Sequence, residues 1–218
     1  MAARPRGWAG VDCRGCPPGL TRSEDGGDYG KDTISDVTQP GPVLILVGPP
    51  GSGKSTVGHL AAQRLGVAFR DFDDDMELAH GLSPGELVVE LGRERFQELE
   101  CELLAHVLLE HSGVLALGGG TPTAAHVPQL LEPFHVVFLE VDLENLLKRE
   151  GLVPLHPWLL PNPRAHLRHL LQQRRPIYTA VAKAIVPTSG RNPEEIVEDV
   201  LDTVHGTVGD TVPGTVDR

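Results

Sequence analysis

The chain of 218 residues carries 19 Lys and Arg against 30 Asp and Glu, a formal net charge of -11; this excludes a sequence-independent nucleic-acid binder, which needs a basic surface to release counterions. The length suits one domain of ordinary size with some tail. No apolar run approaches the roughly 18 to 20 residues that span a bilayer, and no segment joins a basic start, an apolar core and a small-residue cleavage site, so the sequence reads as a soluble, cytoplasmic protein with no membrane partner. The three cysteines form an odd set that suits a reducing compartment better than a disulfide framework.

Residues 1–40 are rich in Gly, Pro, Arg, Asp and Ser without apolar periodicity and read as a disordered tail. Arg4, Arg6 and Arg14 raise an organelle-targeting reading, which Pro5, Gly7, Gly10 and Asp12 weaken. Cys13 and Cys16 form a C-x-x-C pair, but no second pair at ligand spacing follows to complete a zinc site.

Val43-Leu44-Ile45-Leu46-Val47 then predicts a buried strand, and Val57, Leu60, Ala61 and Leu65 predict the inner face of a helix. Between them Gly48-Pro49-Pro50-Gly51-Ser52-Gly53-Lys54-Ser55 fits G-x-x-x-x-G-K-[ST], the phosphate loop. Such a loop turns backbone N–H groups around nucleotide phosphates, aims its lysine at the β- and γ-phosphates and sets a hydroxyl on magnesium.

Phe69 to Asp75 falls where a second parallel strand ends, and ligands in such sheets bind at the carboxyl ends of strands. Asp71 and Asp73 share one direction if the strand persists that far. One carboxylate then orders magnesium through water and the other takes a proton from an attacking hydroxyl. Asp74 and Asp75 read as first-turn helix residues favoured by the dipole, and an acidic helix start without catalysis stays open for all four.

Ser83-Pro84-Gly85-Glu86 is a capping box that starts a helix ending near Gly92. A further helix carries Phe96, Leu99, Leu103 and Val107 on one face, with Cys101 as a small core residue, and stops before Gly113. Val114 to Leu117 is a buried strand running into Gly118-Gly119-Gly120, and Val136 to Leu139 is another, followed by a helix from Asp142 to about Arg149. Gly151 to Pro163 holds four prolines and reads as a long loop. Arg164, Arg168, Arg174 and Arg175 follow in a helix-like stretch that Pro176 ends; loop and arginines together suggest a lid over phosphates, with a solvated basic face as the alternative. Ala184-Ile185-Val186 is a last strand, and Asn192-Pro193 starts a helix with Ile196, Val197, Val200, Leu201 and Val204 inward. The sum is a five-stranded α/β domain over residues 41–205 with its parallel sheet covered on both faces, and a tail over 206–218.

The phosphate loop, the D-x-D of Asp71 and Asp73, Glu77 with Gly81-Leu82-Ser83, Phe96 with Glu100, Gly118-Gly119-Gly120, Arg174-Arg175-Pro176-Ile177-Tyr178 and Arg191-Asn192-Pro193 occur in the order and spacing of shikimate kinases. Over residues 43–204 the chain resembles that family. The resemblance implies the P-loop nucleoside-monophosphate-kinase fold, a three-layer sandwich with sheet order 2-3-1-4-5 and a lid, and ATP with Mg2+. It implies a monomer that phosphorylates the 3-hydroxyl of shikimate on the way to chorismate and the aromatic amino acids.

Residue by residue, the resemblance puts ATP on Gly48, Pro49, Pro50, Gly51, Ser52, Gly53, Lys54, Ser55 and Thr56. It puts magnesium on Ser55 and Asp71, the base and the substrate hydroxyls on Asp73, and adenine against Arg149, Arg191, Asn192 and Pro193. Gly118, Gly119 and Gly120 would admit the substrate to the backbone, and Arg174 would bind its carboxylate. Two positions depart from the family pattern: Gln97 and His156 stand where the family has arginines, one gripping the substrate carboxylate and one on the lid. Arg93 lies one turn before Gln97 on the same face and is a substitute by position. A related kinase for a sugar acid or polyol, and a weakly catalytic nucleotide-binding protein, are the competing readings.

Overall fold

The computed structural model describes residues 41–149, 161–204 and Gly206. The amino-terminal tail with its C-x-x-C pair, the segment 150–160 with His156, and residues 207–218 lie outside the described residues.

Strand β1 (Leu44–Val47) is buried along its whole length and lies at the centre of the sheet. It pairs in parallel with β3 (Val114–Ala116) on one side and β4 (Val136–Glu140) on the other; β2 (Phe69–Asp71) and β5 (Ala184–Pro187) complete the order β2-β3-β1-β4-β5. All pairs are parallel, as the alternation of strand-like and helix-like runs predicts.

Period-two alternation sends neighbouring strand residues to opposite faces. Ile45, Val47, Leu115, Val136 and Phe138 enter one core with Leu104 and Val107 of α4 (Arg93–Glu110). Leu44, Leu46, Val114, Val137 and Leu139 enter the other, with Val57 and Ala61 of α1 (Lys54–Leu65) and Ile196, Val197 and Val200 of α8 (Pro193–Val204). A strand that must be apolar on both faces explains the unbroken run at Leu44–Val47.

The remaining helices are α2 (Phe72–His80), α3 (Pro84–Leu91), α5 (Val127–Leu131), α6 (Leu143–Leu147) and α7 (Pro163–Val181). The capping box forms as expected: Ser83 accepts from the Glu86 backbone while Glu86 accepts from Ser83 N at 2.9 Å. Gly92, with φ +79, then separates α3 from α4.

Two expectations are corrected. The strand does not persist through the D-x-D: β2 stops at Asp71, whose side chain caps α2 by accepting from Asp73 N at 3.1 Å. Asp73, Asp74 and Asp75 all occupy the first turn, where the helix dipole favours negative charge. The second correction is at Pro176, which lies inside α7 instead of ending it. A mid-helix proline costs about 3 kcal/mol; burial of Tyr178 one half-turn later and the contacts that this side of α7 makes with the glycine turn offset the loss. Periodicity also gives no hint of α5 or of the 3-10 turn Thr121–Thr123, both too short for a period to register.

Register places the site. Asp71 is level with Ala116, and Ala116 with Leu46, so the ends of β2, β3 and β1 open at one edge of the sheet. Among the described residues no helix is long and apolar enough to cross a membrane.

Candidate active site

The phosphate loop turns at the end of β1. Gly48 has φ +154, and a Cβ there would lie 2.7 Å from Leu139 O and 2.8 Å from Ser52 Oγ, so only glycine fits. Gly53 leads into α1 with no side-chain cap, and the first turn holds no acidic residue. The open N–H groups of that helix start are a ready site for an anion. Lys54 Nζ donates to the carbonyl oxygens of Gly48 and Pro49, both at 3.1 Å, which folds it back over the loop. Burial holds its pKa below the ordinary lysine value, while Asp73 and Asp71 pull the other way.

Ser55 Oγ donates to Asp71 Oδ2 at 2.6 Å. The pair offers hard oxygen donors only, from the end of β2 and the start of α1. That set suits Mg2+, which keeps several waters and takes one or two protein oxygens together with phosphate oxygens. Among the described residues no group of three or more His, Cys, Asp or Glu converges on a metal position.

Asp73 faces the same crevice. The residue is exposed as a whole, yet enough protein atoms surround its carboxyl that burial pushes its pKa up to about 6, with Lys54 opposing and Asp71 and Asp74 adding to the rise. A Cβ on Gly118 would lie 2.4 Å from Asp73 Oδ1 and 2.9 Å from Thr121 Oγ1. The bare backbone of Gly118 is what lets the carboxylate occupy this position.

The rest of the glycine turn is wedged between two elements. Gly119 O accepts from Arg174 Nη1 at 2.8 Å and from the Tyr178 hydroxyl at 2.6 Å, both on α7. On the other side, a Cβ on Gly119 would lie 2.9 Å from Pro50 Cδ of the phosphate loop. Gly120 comes next to Arg174, with 4.0 Å between its absent Cβ and Nη2. Arg174 thus lies at the glycine turn, within electrostatic reach of Lys54.

Gln97 is half-buried on α4, and Arg149 is exposed just beyond α6, its N–H donating to Leu146 O at 3.0 Å. Arg191 is committed to α8: it donates to Asp199 Oδ2 at 2.6 Å, Pro187 O at 3.1 Å and Glu195 O at 3.2 Å, which fixes the guanidinium plane at the end of β5. Asn192 Oδ1 accepts from Glu195 N at 2.9 Å and Pro193 is the first residue of α8, so both start that helix. Cys101 is half-buried, not a full core residue.

Residue reasoning gave no role to Glu100 and Thr121. Glu100 is 4% exposed, and Thr121 Oγ1 donates to its Oε1 at 2.6 Å. Burial raises its pKa to about 7, the Thr121 bond lowers it, Asp73 raises it, and Arg174 and Arg93 lower it. The signal for it was a glutamate inside an apolar helix face, four residues after Phe96 and three before Leu103.

With this geometry established, comparison with known proteins is direct. A family model described as shikimate kinase matches residues 50–205. A shikimate kinase of Streptomyces coelicolor is 47% identical over 164 residues, 75% of this chain and 96% of that protein. One from Salinispora arenicola is 48% identical over 159 residues, 73% of this chain and 95% of that protein. Among solved structures, a shikimate kinase from Acinetobacter baumannii in complex with shikimate superposes with a TM-score of 0.71 at 31% identity, covering 76% of this chain and 93% of that one.

Proposed function

The chain belongs to the shikimate kinase family, and we infer from that premise that the cleft passes the terminal phosphoryl group of ATP to the 3-hydroxyl of shikimate, giving shikimate 3-phosphate on the route to chorismate and the aromatic amino acids. The observation that carries this reading is the meeting of Lys54 and Asp73 in one crevice, close enough that each charge alters the other's pKa.

The roles follow from the chemistry of each group. Lys54 puts a fixed positive charge where negative charge accumulates on the transferring phosphoryl group, and the open N–H groups of the loop add to it. Ser55 and Asp71 are the residues that would hold Mg2+, which when bound neutralises charge on the phosphate oxygens. Asp73 orients the acceptor hydroxyl and takes its proton as the oxygen bonds to phosphorus and the bond to the ADP oxygen breaks. A base pushed up to about 6 is stronger than an ordinary carboxylate and still ionised near neutral pH. The glycine turn Gly118–Gly120 brings backbone beside Asp73 for the acceptor, and Arg174 meets its carboxylate. Arg149 and the fixed plane of Arg191 take the adenine side, and His156 acts from the lid. Residues 41–205 form the catalytic unit, and the protein works as a cytoplasmic monomer without nucleic-acid or membrane partners.

ATP turnover measured with and without shikimate tests this; ADP release that does not respond to shikimate would sink it. One observation favours a second reading. Gln97 places a neutral amide where a guanidinium would give two charge-assisted bonds, so an acceptor lacking a carboxylate fits that corner as well. Under the first reading Gln97→Arg lowers the shikimate KM by roughly tenfold with little change in kcat. Phosphorylation of another alcohol, beside undetectable shikimate turnover in both proteins, would establish the second.

A further inference from the structure

Pro176 has no N–H for the carbonyl of Gln172 one helical turn earlier, and its ring crowds that carbonyl. The helix ladder is therefore open in the turn that carries Arg174 and Arg175, and the direction of that turn depends on what it touches outside the helix. Before the break, Arg164 at the start of α7 forms an ion pair with Glu144 of α6. After it, Tyr178 donates to Gly119 O. In the open turn itself the two neighbouring arginines diverge: Arg174 Nη1 donates to Gly119 O at 2.8 Å, and Arg175 Nε donates to Glu140 Oε1 at 2.6 Å.

Glu140 is the last residue of β4, and this strand end meets the nucleotide side of the cleft at two places. The Glu140 carbonyl oxygen accepts from Thr188 N at 2.8 Å and from Thr188 Oγ1 at 3.0 Å; Thr188 O in turn accepts from Arg191 N at 3.4 Å. Leu139 O, one residue earlier, backs the phosphate loop, 2.7 Å from the place of a Gly48 Cβ. Both of these contacts run through the backbone. The Glu140 side chain is left to hold α7.

We propose that Arg175 and Glu140 are positioning residues for the acceptor: their ion pair pins the proline-opened turn of α7 to the end of β4 and so holds Arg174 at the glycine turn. The inference rests on the shikimate reading, which gives Arg174 the acceptor carboxylate; Arg175 acts through Arg174 and not on a substrate. Because Glu140 reaches Thr188 through its carbonyl, loss of the ion pair loosens Arg174 and leaves the turn to Arg191 in place. The side chains are 65% and 30% exposed, so water and salt screen the pair and the effect on the acceptor is small but selective.

The test is steady-state kinetics with ATP and shikimate both varied, in the wild type, Glu140→Arg, Arg175→Glu and the double reversal. Each single reversal opposes like charges and should raise the shikimate KM roughly threefold, with the ATP KM and kcat changed by less than about twofold. The double reversal rebuilds the pair with its ends exchanged, and its shikimate KM should return to within about twofold of the wild type. Glu140→Gln keeps an acceptor oxygen without the charge; it should show a smaller rise in the same direction and serves where a reversal does not fold. A shikimate KM unmoved in the single variants, equal rises for ATP and shikimate, or no recovery in the double reversal each overturns the proposal. Absence of shikimate turnover in the wild type would instead remove the acceptor reading, and this inference with it.

Discussion

Tyr178 and Gly119 stand 59 positions apart, and the tyrosine hydroxyl donates to the glycine carbonyl oxygen at 2.6 Å. The bond ties the far half of α7 to the turn at the end of β3. Tyr178→Phe removes it while Arg174 still satisfies Gly119 O, so no acceptor is left bare. A lost bond of about 1 kcal/mol corresponds to roughly fivefold in acceptor KM. Steady-state kinetics with both substrates varied should show that rise for the acceptor and little change for ATP; equal changes for both would place the anchor elsewhere.

Lys54 is held over the loop by two carbonyls, and in the proposed mechanism its charge stabilises the transferring phosphoryl group. Lys54→Ala should lower kcat by roughly a hundredfold or more at saturating ATP. Near-normal turnover in the folded variant would strip the lysine of its role.

Gly118 has no room for a methyl group beside Asp73 Oδ1, at 2.4 Å from its virtual Cβ. Gly118→Ala must rotate the carboxylate away, and a misplaced base should cost about tenfold or more in kcat. Calorimetry should find nucleotide affinity unchanged in the same variant. Normal turnover would mean that Asp73 does not need its present position.

The buried Glu100 also makes stability depend on pH. Its pKa is raised from 4.5 to about 7, so between those values the folded chain binds a proton that the unfolded chain does not. Stability therefore falls as pH rises through this window, by up to about 3 kcal/mol for this group. Denaturant unfolding at several pH values should show a shallower decline in Glu100→Gln than in the wild type. Parallel pH profiles for the two proteins would refute the shift.

Much of this architecture was legible in the sequence because short unbroken apolar runs alternate with apolar periods of 3.6 residues. Leu44–Val47, the glycines after it and the Val57-Ala61 face fix a strand, a loop and a helix from local chemistry alone. The placement of Asp73 was harder, since three successive aspartates satisfy a strand end and a helix start equally until the cap formed by Asp71 decides. Pro176 misled for a related reason: its local penalty is real, but the contacts of Tyr178 that outweigh it come from residues far away in the chain. Glu100 with Thr121 is a tertiary pairing across 21 positions, and no period announces it. The level alignment of Asp71, Ala116 and Leu46 depends on strand order, which composition does not carry.

Pro50 and Gly119 are the boundary between the two halves of the cleft, and 2.9 Å between a proline carbon and an absent Cβ leaves no layer of side chain or water to absorb movement. Anything that seats or shifts the nucleotide loop therefore presses on the turn that receives the acceptor. Under the proposed reading, a contact this close couples the binding of the two substrates. Thermodynamic reciprocity then requires that whatever factor ATP exerts on acceptor affinity, the acceptor exerts on ATP affinity in equal measure.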